Sequence, residues 1–385
     1  MLQPRQRLAG LGLAAVALLS ITIYVVRRPA AEPFETLPPA LSDSEFWNLI
    51  NESSEAGGDF RSDNFVSNED TYQRVIPDLT RKLRPGGVYL GVGPDQNFTY
   101  IAAIQPKLAI ITDIRRQNMM LHLMYKALFE MSHSRSEFLS KLFSRPAPLT
   151  LSDNVDAKRL LDAFLAEKSD RALEKEGLAS ILAQLRDRHH FALSLDDSKS
   201  VEHVYHSFVT AGPEIRYSFP SQAYLRRFPS YAELMSETDG AGGGGQNRSY
   251  MASEENFQAI RKMESENRII PVVGDFAGEK ALRSVGRYLK EHGATVSAFY
   301  TSNVEFYLFQ SDDWKKFLDN IAELPVSKDS VVIRSYFNNY GPPYPNSSLP
   351  PRPVQMIDNM RGLIDAFHGG RIRTYYDVIQ RSIPN

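Results

Sequence analysis

The chain has 385 residues, of which 42% are hydrophobic and 11% aromatic, and its formal net charge at pH 7 is -2. This composition is sufficient for a large core, in one domain with a sizeable insertion or in two domains. The near-neutral charge argues against a nucleic-acid-binding protein, which typically has a basic excess on one face. The absence of cysteine excludes disulfides, thiolate metal ligands and thiol nucleophiles.

An uncharged apolar segment, residues 9–26, lies near the N-terminus between two pairs of arginines. As a helix it would be about 27 Å long, close to the roughly 30 Å thickness of the hydrocarbon layer. The bulky residues at its end favour an uncleaved membrane anchor over a cleaved signal, whose cleavage site has small residues. A buried helix of the folded domain is the third alternative. The flanking charges are nearly balanced, so either side of the membrane, including the periplasm, is open.

The predicted domain organisation has five parts. An anchor or signal in residues 1–28 precedes a proline-rich linker in 29–41. A Rossmann-like domain is expected in two parts, 42–145 and 268–385, on either side of a mainly helical insertion in 146–267 that would cap a pocket. The domain begins with a short helix whose N-terminus the side chains of Ser42 to Glu45 can cap.

Residues 86–118 predict a compact βαβ unit. Val88 to Val92 and Leu108 to Ile114 are apolar runs typical of parallel strands buried on both faces, and residues 97–104 fit a short helix between them. Gly91 and Gly93 mark a sharp turn after the first strand. In such a unit the turn amides face a polar ligand, and a carboxylate after the second strand accepts ribose hydrogen bonds. Asp113 is at the required distance of about twenty residues, which indicates a nucleoside-type ligand.

The run Gly91-Val92-Gly93-Pro94-Asp95, together with Asp113, resembles the first two motifs of class I S-adenosylmethionine-dependent methyltransferases. The resemblance implies that the glycine turn passes under the methionine part of the cofactor and that Asp113 holds the ribose. Asp95 stands where that family has a third glycine. The blocks NFVSNE, GGVYLGVGP and DIRRQN also resemble those of an uncharacterised bacterial family, for which no activity follows.

Two further segments bear on a pocket. In methyltransferase-like folds a helix ahead of the first strand often covers the cofactor, so Asn64, Asn68, Glu69 and Tyr72 either line a pocket or belong to a capped helix on the sheet edge. Residues 115–118 begin a strongly helical segment that continues to residue 143. Arg115 there either holds a substrate carboxylate or phosphate or lies in a solvated first turn.

Strand–helix alternation resumes at residue 268, with strands predicted in 268–276, 296–303 and 330–335 and a helix in 279–292. Ligands of open α/β sheets bind outside the carboxyl ends of the strands, where Asp275, Asn303 and Arg334 are expected. Asp275 resembles the methyltransferase motif that contacts adenine, and residues 300–303 correspond to those that face the methyl group. The C-terminus is predicted as a helix in 357–367 and a last strand in 371–379.

The sequence therefore predicts an α/β protein with a Rossmann-like, methyltransferase-type, largely parallel sheet flanked by helices, a mainly helical insertion and an N-terminal membrane helix. S-adenosylmethionine is the candidate cofactor, bound by Gly91, Gly93, Asp95, Asn97, Asp113 and Asp275. The candidate catalytic residues are Tyr300, Asn303 and, as base, Glu305. The candidate substrate contacts are Asn68, Arg115, Arg334 and Tyr336.

Two functions fit these expectations. The first is a methyltransferase directed at a small molecule or lipid, and the second is a membrane-tethered, non-catalytic ligand-binding or interaction protein on the same fold. A dinucleotide oxidoreductase is disfavoured because position 96 is glutamine instead of the third glycine of its motif. A serine hydrolase is disfavoured because no G-x-S-x-G occurs. No metal site is expected, since the pair His203 and His206 has no evident third ligand.

Overall fold

The computed structural model describes residues 35–148, 154–218, 228–240, 244–337 and 353–382. From Thr36 onward the chain forms one compact unit. The predicted membrane helix, residues 29–34 of the predicted linker and residues 338–352 lie outside the described residues. Within these ranges no helix combines the length and apolarity needed to cross a membrane.

A six-stranded sheet is the centre of the fold, with the strand order β3-β2-β1-β4-β5-β6. Strands β1 to β5 are parallel, and β6 is antiparallel to β5. The expected α/β fold with a largely parallel sheet flanked by helices is therefore confirmed. The strands are β1 (Val88–Gly91), β2 (Leu108–Asp113), β3 (Ile269–Val273), β4 (Val296–Ser302), β5 (Val326–Tyr336) and β6 (Val354–Asn359).

The three strands β1, β2 and β3 are buried along their whole length. Their valine and isoleucine side chains are branched at Cβ and fit a sheet that helices cover on both faces. In the register, Leu90 of β1 lies between Ile110 of β2 and Phe299 of β4. The central strand thus packs in a continuous apolar layer, and its carboxyl end is held at a fixed level relative to its neighbours.

Fifteen α-helices are described. They are α1 (Asp43–Ser53), α2 (Ile76–Lys82), α3 (Gln96–Ile104), α4 (Arg116–Glu130), α5 (Arg135–Phe143), α6 (Ala157–Ala166), α7 (Arg171–Ala183), α8 (Leu195–Ala211), α9 (Tyr231–Ser236), α10 (Glu254–Ser265), α11 (Ala281–Glu291), α12 (Val304–Gln310), α13 (Trp314–Ala322), α14 (Met360–His368) and α15 (Tyr375–Arg381).

Capping side chains determine where several helices begin. The predicted cap of α1 is confirmed, because the Ser42 hydroxyl accepts from the Glu45 amide and the Glu45 carboxylate accepts from the Ser42 amide. The long helix expected in 116–143 is divided into α4 and α5. Ser134 caps α5 by accepting a hydrogen bond from the Glu137 amide at 3.2 Å.

The strand predicted in 371–379 was wrong. Most of this segment belongs to α15 (Tyr375–Arg381), which begins with a capping box between Thr374 and Asp377 and buries Val378 and Ile379. The last strand is instead β6, which precedes α14. A missed capping signal explains the error, since a threonine three residues before an acidic residue marks a helix start.

The helical segment between β2 and β3 packs mainly on α4, which also contacts β3. Helices α8 and α10 pack against α4. Among the described residues of 146–267, Tyr217 alone reaches the pocket described below. The expectation that this segment caps the pocket therefore stays a prediction, which one described side chain, Tyr217, supports.

Candidate functional site

A cavity of about 480 Å³ lies at the carboxyl ends of β1, β2, β3 and β4. Its volume is within the range of small-molecule sites, about 300 to 1,000 Å³. The chain passes from β1 to β2 and β3 on one side of the sheet and then returns to place β4 on the other side of β1. This reversal of strand order is the position at which open α/β sheets bind ligands.

The turn after β1 forms the floor of the cavity at Gly93, whose φ of 79° is in the left-handed region that favours glycine. Asn97 holds this turn from behind, because its side-chain amide donates to the carbonyls of residues 92–94 at 2.7 to 3.3 Å. Its oxygen accepts from the Tyr89 hydroxyl at 2.7 Å. A Cβ on Gly91 would lie 2.0 Å from that oxygen. Of the two predicted turn glycines, only Gly93 lines the cavity, and Asn97 and Gly91 support it.

Asp95, at the position of the missing third glycine, points away from the cavity. Its backbone is right-handed helical, with φ -71° and ψ -12°, so this position does not require glycine. The carboxylate is 1% exposed and accepts a hydrogen bond from Tyr250 at 3.0 Å, and Tyr250 in turn contacts the Tyr231 hydroxyl. Burial raises the pKa of Asp95 to about 7. The departure from the methyltransferase motif therefore leaves the cavity open.

Asp113 and Arg115 form a planar ion pair in the wall after β2. The backbone N–H and Nε of Arg115 donate to Oδ1 of Asp113 at 2.9 and 3.0 Å, and Nη2 donates to Oδ2 at 2.8 Å. Nη1 of Arg115 donates to the carbonyl of Asp63. A carboxylate has about four acceptor positions, so the described residues leave about one on Asp113 for a ligand. The guanidinium of Arg115 is bound to these partners. Arg115 therefore orients Asp113 and is not the substrate contact that the sequence predicted.

The end of β3 contributes Gly274, Asp275 and Phe276 to the wall. The Asp275 carboxylate accepts from the Ala277 amide at 2.9 Å and still lines the cavity. The N-terminus of α11 nearby is already capped, because Glu55 accepts from the amides of Lys280 and Ala281 at 3.0 and 2.7 Å.

The segment from Glu55 to Phe60 crosses the ends of β2 and β3. The Glu55 amide donates to the carbonyl of Val273, and the Gly58 amide donates to that of Ile114, both at 2.8 Å. Phe60 contacts Tyr307 edge to face, with ring centroids 5.7 Å apart, and both rings line the cavity. Sequence reasoning missed this wall, although two consecutive glycines at positions 57 and 58 indicated a close backbone approach.

Glu69 forms the wall at the end of β4. Its side chain is 1% exposed, and its two oxygens accept from the hydroxyls of Tyr300, at 2.7 Å, and of Ser302. Burial raises the pKa of Glu69 above its usual value, although the hydrogen bonds from Ser302 and Tyr300 oppose the shift. Tyr300 does not line the cavity, and it acts on the site through Glu69 and through Gln96, whose amide donates to the Tyr300 hydroxyl at 3.1 Å.

Glu305, the predicted base, does not line the cavity, and neither does Arg334. The two form a buried ion pair, with Nε to Oε2 at 2.6 Å and Nη2 to Oε1 at 3.1 Å. The other predicted substrate contact, Tyr336, packs with Met356 and Ile379 in a small separate cluster. These placements correct the predictions for all three residues. Strand β5 is separated from the switch point by β4, and side chains of α12 and α15 contact its end, Glu305 through Arg334 and Ile379 through Tyr336.

Six of the residues predicted for the site do meet in the cavity wall. They are Asn68, Gly93, Asp113, Arg115, Asp275 and Asn303. Asn64 and Glu69 line it as well, as expected for the segment before β1, whereas Tyr72 is buried behind it and donates to the carbonyl of Leu234 at 3.3 Å.

The histidine pair on α8 is engaged in separate contacts. His206 lies 2.7 Å from Glu174, and His203 lies 3.4 Å from Asp63. No group of three metal-ligating side chains is present in the described part of the chain.

A comparison with curated proteins found no match. A family model with the description "Domain of unknown function (DUF7790)" matches residues 64–361. The matched region contains the whole sheet and all of the described cavity wall except Asp59 and Phe60. It also contains the helical segment between β2 and β3, which is therefore part of the family's domain. Since the match covers well over half of the chain, this protein belongs to the DUF7790 family of domains of unknown function.

Proposed function

We propose that the protein is methyltransferase-like, binds S-adenosylmethionine in the cavity at the switch point, and directs its methyl group to a small-molecule or lipid acceptor. The carrying observation is that one cavity is lined by the glycine turn after β1, by Asp113 after β2 and by Asp275 after β3. In open α/β sheets these positions face a nucleoside-type ligand.

The chain's own groups fit the nucleoside half of such a ligand. Val92, Ile114 and Phe276 provide apolar surface for a base, and Asp113 keeps one acceptor position for a ribose hydroxyl. Oε1 of Gln96 is buried in the wall without a hydrogen-bond partner among the described residues. Buried acceptors are nearly always satisfied, so a donor on a bound ligand is expected there.

The acceptor end is formed by the polar side chains after β4 and before β1. Asn68, Ser302 and Asn303 line this end, and Tyr307 and Leu308 add apolar surface. When bound, S-adenosylmethionine supplies an activated methyl group, and the protein has to orient the acceptor and exclude water. Amide side chains from two elements can orient a polar acceptor, and the aromatic pair of Phe60 and Tyr307 shields it from solvent.

The test is calorimetric titration of the full-length chain, purified in mild detergent, with S-adenosylmethionine and S-adenosylhomocysteine. We expect saturable binding that weakens about tenfold or more in Asp113→Asn, because a hydrogen bond to a charged group contributes about 1.5–3 kcal/mol. Asparagine keeps the shape of the side chain but removes the charge that compensates Arg115, so circular dichroism has to show a folded variant before the affinities are compared. The matched control is Asp329→Asn, an exposed aspartate on β5, which is expected to bind like the wild type. Absence of binding by a folded sample would overturn the proposal.

A membrane-tethered, non-catalytic ligand-binding protein is the second candidate, and the position of Glu305 favours it. The ion pair with Arg334 removes the base that the sequence suggested. Cofactor binding without formation of S-adenosylhomocysteine, during incubation with small-molecule and lipid extracts, would favour this candidate over the enzyme.

A further inference from the structure

The charges in the cavity wall are unbalanced. Among the described lining residues, the four carboxylates of Asp59, Glu69, Asp113 and Asp275 face a single basic side chain, Arg115. The guanidinium of Arg115 is bound to Asp113. A cleft with an excess of one sign of charge concentrates ligands of the opposite sign.

Glu69 is the most deeply buried of these carboxylates that lack a basic partner. The groups that face it are neutral, and they come from every element packed around it: Tyr89 on β1, Tyr100 on α3, Tyr300 and Ser302 on β4, Ser335 on β5 and Gln355 on β6. Burial raises the pKa of all three tyrosines, so their hydroxyls stay protonated. A buried carboxylate among neutral groups is costly unless it binds a proton or a cation.

The backbone at Ser302 is arranged to reach Glu69. Ser302 has a φ of 51°, an uncommon conformation for a residue other than glycine, and the pairing of β4 with β5 shifts register between Tyr300 and Ser302. Conformations of this kind are retained where the surrounding structure enforces them, often at ligand sites. Tyr300 and Ser302, two residues apart and therefore on the same face of β4, donate their hydroxyls to the two oxygens of Glu69.

We propose that the cavity recognises a ligand with a positively charged centre and that Glu69 is the counter-charge for that centre. The proposal rests on the nucleoside-type site proposed above. The hydrogen bonds from Tyr300 and Ser302 place Glu69 beside β4, whereas Asp113 and Asp275 line the cavity at the ends of β2 and β3. The cation is therefore the group that follows the nucleoside, a sulfonium or an ammonium.

This arrangement links ligand binding to proton release. Without ligand, the raised pKa of Glu69 keeps its carboxyl protonated at pH values where a free glutamate is ionised. A cation beside it favours the ionised form, which lowers the pKa. Between the two pKa values, binding of a cation releases up to one proton from Glu69, whereas binding of a neutral analogue releases none.

The experiment compares three ligands of similar shape on the full-length chain. They are S-adenosylmethionine, with a sulfonium, sinefungin, with a primary amine at the same position, and S-adenosylhomocysteine, with a neutral thioether. Calorimetry in two buffers of different ionisation enthalpy gives both the affinity and the number of protons released. We expect the two cations to bind at least about tenfold more tightly than the thioether and to release protons on binding.

In Glu69→Gln we expect the preference for cations to fall to within about twofold and the proton release to disappear. The matched control is Glu279→Gln, whose side chain is 76% exposed and outside the cavity wall, and it should behave like the wild type. If Glu69→Gln fails to fold, Ser302→Ala serves instead. This change removes one hydrogen bond from the Glu69 carboxylate and so raises the pKa of Glu69 further. The pH range in which ligand binding releases a proton should therefore move upward.

Equal affinity for the three ligands without proton release would overturn the role of Glu69 and leave the proposed cofactor site standing. A preference for cations that persists unchanged in Glu69→Gln would also overturn that role. If a folded sample binds none of the three ligands, the proposed function fails, and the inference that rests on it fails as well.

Discussion

Replacement of Glu305 by glutamine tests whether this residue stabilises the fold or performs chemistry. Its carboxylate accepts two hydrogen bonds from Arg334, a side chain with no exposed surface, and Asp358 lies 3.4 Å from Nη1 of the same guanidinium. Removal of one partner of a buried ion pair leaves an uncompensated charge and typically costs about 3–5 kcal/mol. Because Asp358 retains part of the compensation, we expect about 3 kcal/mol.

The assay is guanidinium unfolding of the full-length chain, followed by circular dichroism. Glu305→Gln should lower the free energy of unfolding by about 3 kcal/mol, and the additional change Arg334→Met should recover at least half of the loss, because an apolar pair needs no counter-charge. The control is Glu323→Gln, which breaks an exposed ion pair with Lys290 and should cost less than about 1 kcal/mol.

A loss below about 1 kcal/mol in Glu305→Gln, or a double variant no more stable than the single one, would refute this reasoning. Cofactor binding provides a second criterion. Since Glu305 lies outside the cavity wall, the affinity of the folded variant for S-adenosylmethionine should equal that of the wild type. A normal stability combined with a specific loss of methyl transfer would restore Glu305 as the base.

Two further predictions concern the turn after β1. Gly91→Ala should destabilise the protein by about 1–3 kcal/mol in the same unfolding assay, because the new methyl group would lie 2.0 Å from Oδ1 of Asn97. The control is Gly286→Ala within α11. The new methyl group would lie 3.4 Å from its nearest neighbour, the carbonyl oxygen of Glu323, so this change should be neutral or stabilising. Asp95 has a pKa of about 7 in the folded chain against 3.8 unfolded, so its contribution to stability is complete below pH 3.8 and lost as the pH rises through 7. The unfolding free energy of Asp95→Asn relative to the wild type should therefore increase by up to about 1.4 kcal/mol per pH unit between these values, and a pH-independent difference would contradict the assignment.

Much of the fold could be predicted because parallel strands have an unambiguous pattern. Val88 to Val92, Leu108 to Ile111 and Ile269 to Val273 are continuous apolar runs, and each is followed by glycine or a polar residue. The C-terminus lacked such a pattern. Val354 to Asn359 is mixed in polarity and only partly buried because it is the edge strand of the sheet, and its antiparallel pairing with β5 depends on a partner that is adjacent only in the folded chain.

The candidate site was predictable to the extent that sheet geometry determines it. Gly93, Asp113, Asp275 and Asn303 come together because the carboxyl ends of parallel strands lie at one edge, and this rule needs only the strand assignments. The rule says nothing about partners. Arg334 follows the same pattern at the end of β5, but it is buried against Glu305, and no local signal distinguishes a cation that faces a cavity from one that is paired inside the fold.

The carboxylates near this edge show why residue type alone does not assign a role. Asp113 has a guanidinium at hydrogen-bonding distance, and Glu305 has another with no exposed surface, so both are compensated by the chain itself. Asp95 is buried among tyrosines outside the cavity wall, where a proton is the available compensation. Glu69 is equally buried and also has only neutral partners, but it lines a cavity large enough for a ligand. Of these four carboxylates, Glu69 is therefore the one whose charge a bound molecule can neutralise. The number of protons released when a cationic ligand binds measures this property of Glu69 directly.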